Sequence, residues 1–193
     1  PCIANSFSPP GSNFPAACEC NAGYTGPDGG PCAGCAAGTF KEVTGTESCT
    51  NCVAGKFSNV IGATSVDTCT DCAAGKYSDL VGALQCTECA TGKYSGATGA
   101  TSESTCASCA AGKYSDTTGA TSDSTCSDCA AGKFSDEVAA ISETTCTNCE
   151  AGKYSATTGA ISDSVCSACA AGQSSPEGSG AAAECYDCPT GKY

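Results

Sequence analysis

The chain has no histidine, no methionine, no tryptophan and no arginine. Two of these absences remove a class of function. Without histidine the common general base and imidazole metal ligand are gone, and no carboxylate pair or glycine-rich phosphate loop stands out in their place. No catalytic residue can be named, and we expect no enzyme. Phosphate binding needs clustered Lys or Arg, whereas eight lysines face twenty carboxylates here for a net charge of -12. The acidity argues against nucleic acid as a partner.

Apolar runs are missing too. No stretch approaches the roughly 20 consecutive apolar residues of a membrane span, and the chain opens at Pro1 without a charged-then-apolar leader. We read it as a mature piece or a fragment. Val, Ile, Leu and Phe together number 18 of 193 residues, about 9%, far below what a buried core needs. Alanine and cysteine carry most of the hydrophobic content, and such small side chains do not offset the entropy of ordering a backbone. Something covalent must hold this chain.

What the sequence does have is 21 cysteines in 193 residues. At that density the expected class is a disulfide scaffold, which implies an oxidising, extracellular compartment, secreted or at the cell surface. Nine C-x-x-C units recur with a period of 20 residues, 17 where the repeat is trimmed and 19 at the last step: they start at Cys32, Cys49, Cys69, Cys86, Cys106, Cys126, Cys146, Cys166 and Cys185. Most second cysteines are followed by "AAGKYS" or a close variant, and seven of the eight lysines sit in that one slot, from Lys56 to Lys192.

Each repeat reads as a short hairpin with no helical periodicity. In the copy from Cys109 to Cys126, Gly112 supplies a turn, Lys113, Tyr114 and Ser115 form an extended run, "DTTG" turns, and "ATSDST" returns as an extended segment to the next cysteine. The copy from Cys129 to Cys146, with Phe134, repeats this frame. Two copies, Cys35 to Cys49 and Cys72 to Cys86, lack three residues, and the hairpin loop in the middle is the expected place for the loss. The fold class expected is therefore small, disulfide-rich β: an elongated tandem array of short β-hairpin repeats with little hydrophobic core.

Within a repeat the aromatic slot takes either Phe or Tyr, so it reads as packing on a neighbouring disulfide, with a ligand-binding ladder as the alternative. The lysine reads as a solvated stem covering that aromatic rather than as a binding site. The carboxylates are scattered singly, as in "TSDST"; they read as solubility, the sharper alternative being weak calcium bridging between neighbouring chains.

Three cysteines precede the repeats. "CECNAGYTGPDGGPC", Cys18 to Cys32, resembles the closing half of an EGF-like module over residues 1–32, and that resemblance implies Cys20 with Cys32 and Cys2 with Cys18. Continuing, the second cysteine of each unit is joined to the first of the next: Cys35–Cys49, Cys52–Cys69, Cys72–Cys86, Cys89–Cys106, Cys109–Cys126, Cys129–Cys146, Cys149–Cys166 and Cys169–Cys185. This treats every repeat alike. The rival, first to first and second to second across neighbouring units, forces alternate repeats into different environments and strands one of nine units. Sequence proves neither connectivity. Local closure leaves Cys188 over, and "CYDCPTGKY" then reads as the start of a further, truncated repeat.

The pattern "C-x-x-C-x-x-G-K-Y-S…G-A-T-S-x-S-T-C" resembles the ephrin-receptor-like cysteine-rich repeat, a relative of the tumour-necrosis-factor-receptor module, over residues 32–193. Ala stands where that family often has Pro after the second cysteine. Similar repeats occur in large extracellular proteins of algae and protists. The resemblance implies a disulfide-laddered extracellular rod: a structural element of a fibre, stalk or flagellar-hair-like filament whose partners are other copies of itself or further repeats. A receptor or adhesion ectodomain with a protein or glycan ligand is the alternative. Residues 32–168 form the uniform array, while 169–193 stand apart, because "AAGQSSPEGSGAAAEC" lacks both lysine and aromatic and so marks a bend or an interface.

Paired C-x-x-C units also match zinc ribbons. Four thiolates per zinc would pair the units two by two, orphan one of nine and add negative charge, so disulfides are the better reading. No N-x-S/T acceptor occurs anywhere. Exposed Ser and Thr, Ser8 among them, are candidates for O-linked sugars, as are Pro9 and Pro10 after hydroxylation.

Overall fold

A computed structural model describes residues 2–189. The slots at Lys192 and Tyr193 lie outside them. The described residues form ten antiparallel pairs of two-residue strands and seven three-residue 3-10 helices, with no α-helix. All ten disulfides of the local-closure scheme are present, from Cys2–Cys18 to Cys169–Cys185.

The repeat from Cys109 shows how the sequence makes the hairpin. The Lys113 N–H donates to the Ala110 carbonyl at 3.2 Å, and Gly112 at φ +78° turns the chain through a conformation that side chains resist. Lys113–Tyr114 then pairs with Ser127–Asp128, in register Lys113 with Asp128 and Tyr114 with Ser127. The second strand is thus the pair of residues inside the next C-x-x-C. A ladder two residues long is marginal by itself. The Cys109–Cys126 bond, with Cα atoms 5.8 Å apart, clamps its base.

The segment "ATSDST" is not the extended return strand that its threonines suggested. Ala120 makes an isolated parallel bridge to Tyr94 of the preceding repeat, and Asp123–Thr125 coils into a 3-10 turn before Cys126. Short hydroxyl side chains hydrogen-bond their own backbone and so compete with strand pairing. Here the Thr125 hydroxyl donates to the Ser122 carbonyl at 2.7 Å, and in the next copy the Ser142 hydroxyl accepts from the Thr144 N–H at 3.0 Å.

The same turn corrects the reading of the trimmed repeats. No 3-10 helix lies between Cys35 and Cys49 or between Cys72 and Cys86, although every repeat of 16 or 17 residues' separation has one. The three missing residues come from this turn, not from the hairpin loop. The loop is spared because it still bonds the preceding repeat: the Gly45 N–H donates to the Cys20 carbonyl at 2.9 Å and the Gly82 N–H to that of Cys52 at 2.7 Å.

The atypical repeat from Cys169 also keeps its frame. Gln173–Ser174 pairs with Tyr186–Asp187, and Ser179 bridges to Tyr154 where its neighbours use alanine. Its side chains depart, and its loop is one residue shorter than in the full repeats. At the other end, Tyr24–Thr25 pairs with Ala33–Gly34, and Gly23 has φ +81°. The Cys20–Cys32 loop therefore has the same hairpin as the repeats that follow.

The chain divides into two compact units, residues 1–88 with 97–105 and residues 89–96 with 106–193. In the first, Phe40, Phe57 and Tyr77 bridge to Ala63, Ala83 and Ala100. In the second, Tyr94, Tyr114 and Phe134 bridge to Ala120, Ala140 and Ala160. The core of each is made of small residues. The second cysteines from Cys35 to Cys149, these alanines and the serines that follow the aromatics are buried, whereas the aromatics themselves are half-buried.

Candidate functional site: the junction between repeats

What recurs in this molecule is a junction. The Gly112 N–H donates to the Ser135 carbonyl at 2.8 Å, the Ser115 N–H to Ala140 at 3.0 Å, and the Ala139 N–H returns to Cys109 at 2.9 Å. Backbone groups carry the seam, so side chains must stay out of its way. That requirement selects the serine and alanine slots: Ser115 is 3% exposed and Ala140 1%. The Ser115 hydroxyl also accepts from the Thr117 N–H at 3.3 Å, pinning the start of the loop.

Contacts reach two repeats as well as one. A Cβ built on Gly112 would lie 2.2 Å from the Gly159 carbonyl oxygen, and one on Gly38 would lie 2.1 Å from that of Gly82. The Gly159 and Gly82 loops therefore each rest on both preceding repeats. Gly112 is required twice over, for its positive φ and for this close approach.

Charged side chains line the outside of the junction. Lys113 meets Asp128 at 2.7 Å directly across the hairpin, and Lys56 meets Asp71 at 2.7 Å in the same way. Lys76 reaches Glu88 at 3.1 Å. The expected lysine stem is thus also one half of a cross-strand ion pair, and these carboxylates are not scattered singly. Lys133 instead takes Glu143, and Lys153 takes Glu150, at 2.8 and 2.9 Å. The hydrogen bond from lysine, then its charge, holds the Glu143 and Glu150 carboxyls below their ordinary value. Lys153 is raised by the same pair of causes.

Between these pairs lie shallow clefts. One of about 140 Å³ is lined by Phe134, Asn148, Lys153, Asp163 and Cys166. A second, of about 390 Å³, is lined by Phe57, Asp71, Lys76, Gln85 and Cys86. The two share a plan: the aromatic of one repeat, the inner residues of the C-x-x-C, the next lysine and the next closing cysteine. The aromatic slot and the disulfide are thus brought to one place.

Lys41 departs from the lysines of these ion pairs. It occupies the buried serine slot, is 3% exposed, and donates its Nζ to the Tyr24 carbonyl at 2.8 Å and to that of Gly45. Its charge is satisfied by backbone dipoles of two different loops.

Ser8 is half-buried, while Pro9 and Pro10 are exposed on the loop between Ser6–Phe7 and the 3-10 turn Pro15–Ala17. Cys188 is half-buried and forms no disulfide. Twenty of the 21 cysteines are in disulfides, which takes up the sulfurs a zinc tetrad would need. Among the described residues no three Cys, Asp or Glu side chains gather where a metal ion could be held. No helix among them is long and apolar enough to cross a membrane.

Sequence reasoning missed the serine and alanine slots. Their signal was positional: both recur at a fixed place in the period, as the cysteines do.

The family model described as tyrosine-protein kinase ephrin type A/B receptor-like matches the chain twice, at residues 23–69 and 66–106. The first match begins at the glycine that opens the Cys20–Cys32 hairpin, ahead of the first C-x-x-C. Comparison with curated proteins finds no match. The chain is therefore one of tandem cysteine-rich repeats similar to that family, held by a disulfide ladder.

Proposed function

We propose that this chain is a non-catalytic, extracellular structural segment, a rod whose repeats supply length to a cell-surface fibre, stalk or filament. The observation that carries the reading is the sameness of the junctions. Seven repeats make the same bridge from the residue before the buried serine slot to the loop of the next repeat, and a specific ligand site would be expected to individualise one of them. Ten disulfides support an oxidising compartment. The array over 32–168 is the working part of this proposal, and other copies or further repeats are its partners. O-linked sugars on the exposed serines and threonines, or on Pro9 and Pro10, belong to the same proposal.

Negative-stain microscopy of native material tests it. Bundled or helical filaments are expected; isolated flexible particles would refute the fibre. The match to a receptor-like family favours a second reading, an ectodomain that binds a protein or glycan. Saturable binding of one such ligand, abolished by substitutions confined to a single repeat, would decide for it.

A further inference from the structure

The 3-10 turn does more than lengthen a repeat. Where it precedes the closing cysteine in the inner repeats, that cysteine is buried: Cys69 is 4% exposed, Cys106 7%, Cys126 5% and Cys146 6%. Where it is missing, Cys49 and Cys86 are half-buried, as is Cys32 in the shortest loop. Cys166 and Cys185 are half-buried despite their turns. They close the last two described loops, where Gly172 has nothing within 4 Å of a built Cβ and Gly152 has one side-chain atom at 4.0 Å. Cover therefore needs both the turn and a stacked neighbour. Cys52–Cys69 lies in sequence between the two uncovered links, in the same compact unit, and so serves as an internal control.

We propose that Cys35–Cys49 and Cys72–Cys86 are thiol-exchange sites, links of the array that open to a low-molecular-weight thiol while Cys52–Cys69 between them stays closed. Thiol exchange requires the attacking sulfur to reach a disulfide sulfur, so access governs the rate once the thiol's own reactivity is fixed. At the second site the thiolate attacks Sγ of Cys86, since Cys72 is fully enclosed at 0% exposed. The S–S bond breaks and its electron pair leaves on Cys72 Sγ, which takes a proton from water. Cys86 is left in a mixed disulfide with the reagent. A second thiolate attacks the reagent's sulfur, freeing Cys86 and forming the reagent's own disulfide. Two thiols are oxidised and one protein disulfide is reduced. The Phe57–Lys76 cleft, which includes Gln85 and Cys86, gives the approach.

The test is partial reduction of the folded chain. Cys188 is first blocked with N-ethylmaleimide, dithiothreitol is added at neutral pH without denaturant, and released thiols are trapped with iodoacetamide at timed intervals and mapped by peptide mass. Cys49 and Cys86 are expected to label about tenfold faster than Cys69, Cys106, Cys126 and Cys146. Equal rates, or Cys69 first, would overturn the proposal. A variant lacking Val66, Asp67 and Thr68 is expected to bring Cys69 to the rate of Cys86. Should it label at every cysteine at once through unfolding, a second variant decides: inserting Ser-Asp-Ser between Leu84 and Gln85 rebuilds the turn. Slower labelling of Cys86 alone upholds the turn as the shield, and an unchanged rate sinks it.

Discussion

At the residue scale the most informative position is Ala139. It stands at φ +59° where its equivalents are glycines, such as Gly159 at +63°. A left-handed conformation costs an L-residue about 1–2 kcal/mol, so Ala139→Gly is expected to stabilise the chain by about 1 kcal/mol, part of the gain being offset by the freer unfolded glycine. Chemical denaturation of the oxidised protein checks it. The sequence tolerates alanine there for a reason visible in the register. A Cβ on Gly159 would lie 2.9 Å from Asp128 Oδ1 and one on Gly178 3.0 Å from Asn148 Oδ1, whereas Ser108 holds the corresponding place opposite Ala139. Ser108→Asp should therefore cost more with Ala139 than with glycine at that position, a coupling that a double-mutant cycle measures. The two turn glycines Gly112 and Gly172 make a further contrast. Gly112→Ala meets both a positive φ and the Gly159 carbonyl, while Gly172→Ala meets the φ alone. We expect the former to cost at least about 2 kcal/mol and the latter about 1 kcal/mol; equal losses would mean that the stacking contact is not held in solution.

At the element scale, the disulfide connectivity was legible and the hairpin register was not. The first two links were implied by the EGF-like resemblance, and from Cys35 on connectivity followed from parity, because near-identical repeats must close alike. The register turned on which two residues form the second strand, and threonine's preference for strands pointed to "ATSDST" rather than to the residues inside the C-x-x-C. Hydroxyls that satisfy their own backbone overrode that preference. The same error hid the ion pairs, since Asp71 and Asp128 face Lys56 and Lys113 only in the observed register. Exposed pairs of this kind add little, yet they leave a mark on the acid side. Glu143 and Glu150 are held below the ordinary carboxylate value in the folded state, so their contribution is present above that value and is lost as pH falls through the lowered one. A thermal-melt series from neutral pH downward should show a shallow decline that flattens in the Glu143→Gln, Glu150→Gln double variant. High salt should flatten it too.

At the scale of the whole molecule, order comes from contacts between near neighbours. Within each unit every contact described above spans one or two repeats, as in an array whose stability is a sum of local terms and neighbour terms. Each link closes a loop of 12 to 17 residues' separation and restricts the unfolded chain by about 3 kcal/mol on the chain-entropy account. Such terms replace the core that 18 large apolar residues in 193 cannot build. Removing one link should then damage a neighbourhood and not the array. In the Cys109→Ser, Cys126→Ser variant, amide exchange is expected to accelerate at Gly92 and Ser95, whose acceptors are Ser115 and Ala120, and at Ala139, whose acceptor is Cys109. The Gly178 amide, bonded to Cys149 at 2.9 Å, should keep its protection. Exchange that quickened equally at all four would instead mean that the second unit opens as one body, its two-repeat contacts coupling every link to the rest.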